Sequence, residues 1–333
     1  MKKGLKVMID LANQDNKLAI IVPAYNAATF IGECLNSIAN QSYKNWQCFI
    51  IDDGSTDETR IIAERYAKED SRFNVIHKEN GGVSSARNFA LELIERDQCF
   101  DWIGFVDSDD RIDTEMYSSM IESLTNNTDA GIAICGVYRF GDHVIQKPLA
   151  EANPSITSEE YVELIFSQGP WAKCCLSGGY VCRSLFRRHV IAGLWFTSRK
   201  DMIEDELYSV SAACKTQKIT IVNKALYGYR NRADSLTHNQ QFWKELMNGR
   251  KCCIEVASKI SERARFVSVV AYLQVAIKAF KRFSHPVYLL KEYETELRNA
   301  RKIGLIDFKT FMLYYLFTKC PMLSNIYRKV RKY

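Results

Sequence analysis

The chain has 333 residues, of which 47% are hydrophobic, enough for one large α/β domain with an appendage. Its net charge is only +6 and no nucleic-acid-binding motif is visible, so we expect no nucleic-acid partner. The eleven cysteines include no Cys-x-x-Cys pair, which favours a reduced cytoplasmic chain over a disulfide or zinc framework.

Apolar segments alternate with helical patterns along the first third of the chain. The segments 18–25, 46–51, 73–77 and 102–106 are predicted to be strands, and a helix follows each of the first three. Either Ser55 or Thr56 is placed to cap the helix that begins near Asp57. This alternation predicts a parallel sheet covered by helices on both faces. Ligands of such sheets bind beyond the carboxyl ends of the strands, where the polar clusters of this sequence fall.

Three carboxylates follow the fourth predicted strand within four residues: Asp107, Asp109 and Asp110. Carboxylates crowded at the end of a buried strand repel one another and lose hydration, so the cluster favours a bound cation. Strand alternation lets Asp107 and Asp109 point the same way and reach one hard divalent ion. The alternative is that Asp110 or Asp113 caps the helix that begins near Thr114.

Four motifs stand at the ends of the predicted strands. They are Val22-Pro23-Ala24-Tyr25-Asn26, Asp52-Asp53-Gly54-Ser55-Thr56-Asp57, Asn80-Gly81-Gly82 with Ala86-Arg87-Asn88, and Asp107-Ser108-Asp109-Asp110. Together they closely resemble the nucleotide-sugar-binding half of the family 2 glycosyltransferases over residues 17–235. The resemblance implies the GT-A fold, an α/β fold with a Rossmann-like, mostly parallel sheet flanked by helices. It also implies transfer of a sugar from a nucleoside diphosphate with inversion at the anomeric carbon.

The resemblance implies a site for the nucleotide-sugar donor built from these motifs. The implied residues are Pro23, Tyr25, Asn26, Asp52, Asp53, Asn80, Arg87, Asp107, Ser108 and Asp109. Tyr25 is expected to lie against the base, and the planar guanidinium of Arg87 is expected to face the phosphates. Adjacent residues point to opposite faces, so only one of Asp52 and Asp53 enters the pocket. A carboxylate there can accept the N–H of uracil; we favour Asp53 for this contact and a UDP-sugar as donor.

The resemblance also implies a metal site and a catalytic base. Mn²⁺ or Mg²⁺ would be held by Asp107 and Asp109, with His238 as a further candidate ligand, and would neutralise the leaving nucleoside diphosphate. The base, which takes the proton of the acceptor hydroxyl, maps onto Asp205, and Glu204 is its hydrogen-bonding support. The alternative for this pair is an acidic first helical turn that complements the helix dipole.

One segment departs from the family. Relatives often have Trp-Asn-Lys before a Leu-Phe pair, whereas this chain has Cys182, Arg183 and Ser184. Contacts that relatives make to the acceptor or donor sugar at this point are therefore not carried over to this chain.

The chain is predicted to have three parts. Residues 1–16 form an N-terminal extension, 17–235 the glycosyltransferase domain (17–125 the nucleotide-binding half, 126–235 the acceptor-side half) and 236–333 a helical C-terminal region. The helix predicted in the C-terminal region, from Phe266 to Phe283, is too short and too charged to span a bilayer. From Phe308 onward, aromatic and aliphatic residues alternate with basic ones and acids are absent, which favours contact with an anionic membrane surface. The alternative is a helical appendage that only packs on the domain.

The sequence therefore predicts a metal-dependent inverting glycosyltransferase of bacterial surface polysaccharide synthesis. Its acceptor would be a hydroxyl of a lipid-linked or growing glycan, at the cytoplasmic face of the plasma membrane. One alternative is a sugar-phosphate nucleotidyltransferase, which needs a Gly-rich, basic loop that the segment 23–26 does not supply. The other is a nucleotide-binding scaffold without activity, which the retention of Asp107, Asp109 and Asp205 argues against.

Overall fold

A computed structural model describes residues 16–141, 153–167, 174–199, 202–231, 240–283 and 293–319. Within these residues nine strands form one sheet. The strands are β1 (Leu18–Ala24), β2 (Trp46–Asp52), β3 (Phe73–His77), β4 (Trp102–Phe105), β5 (Arg111–Ile112), β6 (Ala130–Gly141), β7 (Ser155–Thr157), β8 (Ser184–Arg187) and β9 (Lys218–Asn231). Their order across the sheet is β3-β2-β1-β4-β8-β6-β9-β5, and β7 pairs with β9.

Helices cover this sheet and continue beyond it. Those of the first two thirds are α1 (Ile31–Ala39), α2 (Thr59–Glu69), α3 (Val83–Asp97), α4 (Met116–Thr125), α5 (Ser158–Ile165), α6 (Arg188–Ile191) and α7 (Glu204–Ala213). Those of the C-terminal region are α8 (Gln240–Ala257), α9 (Glu262–Phe283), α10 (Glu294–Lys302) and α11 (Phe308–Lys319). A short 3₁₀ turn, Val181–Arg183, precedes β8.

The first half of the sheet is parallel, as predicted. Strand β1 pairs in parallel with β2 on one side and β4 on the other, and β2 pairs in parallel with β3. Every residue of β1 is buried, because helices cover both faces of the sheet at its centre. The register pairs Ala24 with Asp52 and Asp52 with His77, so the carboxyl ends of these strands meet at one edge. The polar motifs therefore come together at that edge.

The predicted cap of helix α2 is wrong. Helix α2 begins at Thr59, too late for Ser55 or Thr56 to cap it, and the Asp57 carboxylate accepts the Thr59 N–H at 3.0 Å. The Ser55 hydroxyl instead accepts the N–H of Asn26 at 3.0 Å, and the Thr56 N–H donates to the Asn26 side-chain oxygen at 2.8 Å. The two residues thus join the loop after β2 to the loop after β1.

The second half of the sheet brings a distant strand to the same edge. Strand β8 runs antiparallel between β4 and β6, and β9 lies parallel to β6. The two-residue strand β5 pairs antiparallel with β9, with Arg111 opposite Gly228 and Ile112 opposite Tyr227. Because β5 directly follows the Asp107–Asp110 turn, this pairing places the end of β9 beside the acidic cluster.

Helices α8 and α9 each pack on the sheet domain with one face and on each other with another, and α9 also packs on α10. Cys253, Ala257 and Val267 belong to the same buried core as the sheet. Leu273 of α9 and Leu297 of α10 belong to a separate core within the C-terminal helices. As predicted for the helix around 266–283, none of the helices that the structure describes has the length and apolar character needed to cross a membrane.

Every cysteine in the described ranges is a free thiol, and most of them are buried. Cys48 and Cys135, which stand among apolar residues in the sequence, lie in the interior. These cysteines therefore serve the core as small hydrophobic side chains.

Candidate active site at the carboxyl edge of the sheet

A cavity of about 2200 Å³ opens at the carboxyl edge of the sheet. Ligand pockets in proteins commonly have volumes of about 300–1,000 Å³, so this one has room for two ligands side by side. Predicted site residues that line it are Asn80, Arg87, Asp107, Asp109, Glu204 and Asp205. The other predicted residues that the structure describes are not among those lining it: Pro23, Tyr25, Asn26, Asp52, Asp53 and Ser108.

The guanidinium of Arg87 lies at the centre of the site. It projects from the first turns of α3 and is almost completely buried, with 2% of the residue exposed. One terminal nitrogen donates to Asp205 at 2.7 Å and to Glu204 at 3.0 Å, and the other donates to Asp107 at 2.9 Å. Burial alone lowers the pKa of Arg87, but the three carboxylates outweigh it and raise that pKa. Arg87 therefore stays charged and joins the acid after β4 to the acidic pair of α7.

The aromatic ring of Phe196 packs against the guanidinium of Arg87. The guanidinium carbon of Arg87 lies 5.0 Å from the centroid of the Phe196 ring, and the same ring stacks on Tyr208 of α7 with 3.9 Å between the centroids. Asn88 fixes the backbone of Phe196 by donating to its carbonyl at 2.9 Å and accepting its N–H at 2.8 Å. The arginine is thus held by packing as well as by charge.

Asp205 has the properties expected of a group that exchanges protons near neutral pH. It lies in the first turn of α7, and its side chain is only 20% exposed. Burial raises the pKa of Asp205, and so do the neighbouring charges of Glu204 and Asp107, whereas Arg87 lowers it. Together these effects raise the pKa of Asp205 to about 7. A carboxyl with such a pKa is half ionised at physiological pH, which is the range in which a general base works best.

The residues after β4 form a second acidic cluster. Ligand atoms of Asp107, Asp110 and Cys182 all lie within 4.8 Å of one another. Burial raises the pKa of Asp110 well above its usual range, and the charges of Asp107 and Asp109 raise it further. Crowded carboxylates of this kind are stabilised by a cation, and hard carboxylate oxygens suit Mg²⁺ or Mn²⁺. The carboxylates of Asp107 and Asp110 therefore fit a divalent metal. Asp109, the predicted second ligand, is not part of this close group but lines the cavity beside it, so its metal contact stays a prediction.

Strand β9 fixes the shape of this acidic turn. The buried hydroxyl of Tyr227 donates to Asp110 at 2.6 Å and accepts the N–H of Asp107 at 3.2 Å. The backbone N–H of Arg230 donates to Asp110 at 2.7 Å, and its side chain donates to the carbonyl of Asp109 at 2.6 Å. Asp110 thus orients the turn from inside the protein.

Tyr227 and Cys182 were not predicted as site residues, and Asp110 was predicted only as a member of the acidic cluster or as a helix cap. The doubled Asp109-Asp110 pair was the signal for Asp110, and the departure from the family at 182 was the signal for Cys182. His238 lies outside the residues that the structure describes, so its predicted metal contact stays a prediction.

Asp52 and Asp53 have separate sets of partners, as expected of neighbours that point to opposite faces. Asp52 accepts the Ser55 N–H and contacts the His77 ring at 2.9 Å, away from the cavity. Asp53 accepts the N–H groups of Gly81 and Gly82, two residues that line the cavity. Asp53 is thus the nearer of the pair to the cavity, but its carboxylate is buried and also pairs with Lys78 at 2.5 Å. Its contact with the base stays a prediction.

Asn80 and Tyr25 are two further residues of the predicted donor site. The Asn80 side chain donates to the Asp53 carbonyl at 2.9 Å and ties the loop after β3 to the end of β2. The ring of Tyr25 is 53% exposed at the end of β1, where a planar ligand has access to it.

Acids, a buried arginine and a large cavity thus meet beyond the carboxyl ends of the parallel strands, the usual place for a ligand site in such sheets. Comparison with known proteins identifies the class. The family model for glycosyl transferase family 2 matches residues 19–194, and the chain belongs to this family. The glycosyltransferase EpsJ of Bacillus subtilis, itself uncharacterized, is 34% identical over 224 residues, which are 66% of this chain and 62% of that protein.

Two longer matches extend into the C-terminal region. Glycosyltransferase GlyG of Streptococcus pneumoniae is 26% identical over 296 residues, 88% of this chain and 92% of GlyG. The crystal structure of S. aureus TarS 1-349 has a TM-score of 0.66 at 20% identity and covers 90% of this chain and 86% of that one. The fold is the GT-A fold, as predicted. The chain spans only about 62% of the length of EpsJ.

Proposed function

We propose that the protein is a metal-dependent inverting glycosyltransferase of surface polysaccharide synthesis, with a UDP-sugar as donor and a glycan hydroxyl as acceptor. The observation that carries the proposal is the contact of one buried arginine, Arg87, with both Asp107 and Asp205 in one cavity. Asp107 belongs to the acidic turn expected to face the departing diphosphate. Asp205 belongs to the acidic pair expected to face the acceptor.

The names of similar proteins support the choice of substrates. S. aureus TarS has been crystallised with UDP and with UDP-GlcNAc. A relative that is 26% identical over 226 residues is a poly(ribitol-phosphate) beta-glucosyltransferase. A mannosyltransferase with a TM-score of 0.52 was crystallised with GDP-Man and Mn²⁺. A nucleoside diphosphate sugar is common to the crystallised donors, and we favour uridine because a carboxylate such as that of Asp53 can accept the N–H of uracil.

In the proposed reaction the chain's own residues bind the two substrates and move one proton. Asp107 and Asp109 would hold Mn²⁺ or Mg²⁺, which when bound supplies positive charge opposite the departing diphosphate. Asp205 in its ionised form accepts the proton of the acceptor hydroxyl while that oxygen attacks the anomeric carbon. Arg87 keeps Asp205 oriented toward the cavity and, together with Glu204, limits its rotation.

We also propose that the C-terminal region contacts a membrane whose surface is anionic. In the part that the structure describes, the end of α10 and the start of α11 expose Ile303 (44%) and Phe308 (63%), near Arg301, Lys302 and Lys309 in the sequence and with one acid, Asp307, among them. Apolar side chains flanked by basic ones are the pattern of a surface that rests in the lipid headgroup layer. The predicted basic tail beyond 319 lies outside the described residues.

The experiment for the proposed function is release of UDP from a panel of UDP-sugars, with Mn²⁺ and with EDTA. We expect Mn²⁺-dependent turnover, and Asp109→Ala should lower it about 100-fold, the scale of a lost charge stabiliser. Asp129→Ala is the matched control, because Asp129 is a surface acid paired with Lys218 far from the cavity. Full activity of Asp109→Ala or unchanged activity in EDTA would exclude the metal site. UDP binding without turnover of any donor would favour the inactive scaffold.

A further inference from the structure

Helix α8, which follows the sheet domain, packs against the turn that carries the proposed base. Ile203 is the residue before the first turn of α7, and its side chain makes no capping hydrogen bond. Its backbone N–H donates to the carbonyl of Glu245 in α8 at 3.2 Å. The backbone at the start of α7, two residues before Asp205, is therefore hydrogen-bonded to α8.

A glycine permits this close approach. A Cβ atom at Gly249 of α8 would lie 2.6 Å from the carbonyl oxygen of Ile203, closer than non-bonded atoms come. The neighbour in this contact is backbone, so it cannot turn away as a long side chain can. Any larger residue at 249 must displace either α8 or the beginning of α7.

An ion pair fixes the same turn from the side. Arg250 of α8 donates to both carboxylate oxygens of Glu206, at 2.9 and 2.8 Å, and both side chains are largely buried, with 13% and 14% exposed. A further nitrogen of Arg250 donates to the carbonyl of Ala271 in α9 at 3.1 Å. One guanidinium thus joins α7, α8 and α9, and the bidentate geometry sets orientation as well as distance.

Helix α8 can hold the base in place only if the helix is itself held in place, and it packs into two hydrophobic cores. Cys253 and Ala257 on its last two turns are fully buried in the core of the sheet domain. Met247 and Ile254 on another face belong to the core of the C-terminal helices. The helix is thus held on two sides while Gly249 and Arg250 face the start of α7.

We propose that helix α8 positions the catalytic base, with Gly249 and Arg250 as positioning residues that act through Asp205. The C-terminal helical region would then be part of the catalytic unit as well as a membrane-facing appendage. This inference rests on the proposed role of Asp205. A displacement of a reacting group by about 1 Å can lower turnover about 100-fold, so a small shift of this turn has a measurable effect.

The experiment compares Gly249→Ala with Gly32→Ala in hydrolysis of the UDP-sugar that the full-length protein turns over best. Gly32 lies in helix α1 and has open space around its Cβ position, so it is a matched control. We expect kcat of Gly249→Ala to fall at least about 10-fold, with KM and the Kd of UDP within about 2-fold of wild type. Alanine favours a helix over glycine, but its Cβ clashes with the Ile203 carbonyl, so Tm is measured beside kcat and turnover is compared well below the Tm of both variants. Gly32→Ala should keep wild-type kcat.

Arg250 provides a second test that does not depend on one variant folding. The kcat values should rank wild type above Arg250→Lys above Arg250→Met, because lysine keeps the charge but loses the bidentate contact. In an Asp205→Asn background the Arg250→Met change should cause no further loss, since its effect passes through Asp205. Wild-type kcat in Gly249→Ala and in both Arg250 variants, or losses that add fully to that of Asp205→Asn, would overturn the inference. Absence of turnover in the wild type would instead overturn the proposed function on which it rests.

Discussion

Replacing Arg87 by methionine should both destabilise the protein and disable its site. Methionine keeps the packing over Phe196 but removes three charged hydrogen bonds, which leaves Asp107, Glu204 and Asp205 facing one another. Hydrogen bonds to charged groups contribute about 1.5–3 kcal/mol each, and loss of one partner of a buried ion pair costs about 3–5 kcal/mol. The carboxylates are 28%, 17% and 20% exposed and regain some water, so we expect about 3 kcal/mol. That is a large share of a typical stability of about 5–15 kcal/mol.

The loss should depend on pH in a defined direction. Burial raises the pKa of Asp205 to about 7 even with Arg87 beside it, and removal of the guanidinium raises that pKa further. A carboxyl whose folded pKa lies above its unfolded value supports the fold at low pH and ceases to do so as pH rises through the folded pKa. Arg87→Met should therefore be least destabilised relative to wild type at acidic pH and most destabilised above neutral pH.

Urea unfolding at about pH 5.5 and pH 8 measures this difference. Arg60→Met is the control, because Arg60 forms an exposed pair with Glu64 on α2, and its midpoint should stay at the wild-type value. A wild-type midpoint for Arg87→Met at pH 8 would refute the role of Arg87 as the common partner of these carboxylates. So would a loss that is equal at the two pH values.

Three further predictions concern the base, the acidic turn and the membrane. Because Asp205 acts only when ionised and its pKa is about 7, kcat/KM for UDP-sugar hydrolysis should rise through about pH 7 and level above it; an acid limb near pH 4 would contradict this. Tyr227→Phe leaves the Asp107 N–H and the buried Asp110 without their hydroxyl partner and should cost about 1–3 kcal/mol in urea unfolding; an unchanged midpoint would contradict this. Phe308→Ser should weaken sedimentation with anionic vesicles relative to wild type, and equal sedimentation of the two proteins would count against this membrane surface.

The first half of the fold was predictable from local pattern. Strands β1 to β4 and helices α1 to α3 appear where apolar runs and helical periodicity placed them, because each buried strand is covered by its own neighbouring helices. The path of the second half was not predictable in this way. Strand β8 inserts between β4 and β6, and this pairing depends on contacts between residues far apart in the sequence, such as Ile132 with Phe186.

The candidate site shows the same division. Motif resemblance placed Arg87, Asp107 and Asp205 in one site, and all three line one cavity. Arg87 was expected to face the donor phosphates, a role that stays a prediction, whereas in the structure it binds three carboxylates. No local pattern could indicate its bond to Asp205, because 118 positions separate the two residues. The support of α7 by Gly249 was equally invisible, since a glycine inside a helix carries no sign of the backbone it approaches.

The most direct test of the proposed function compares binding with turnover in Asp205→Asn. Asparagine keeps the shape of the side chain but cannot accept the acceptor's proton. Calorimetry with UDP and Mn²⁺ should give a Kd within about 3-fold of wild type, whereas UDP-sugar turnover should fall at least about 100-fold. Equal losses of binding and turnover would contradict the account and make Asp205 a structural or metal-binding residue instead.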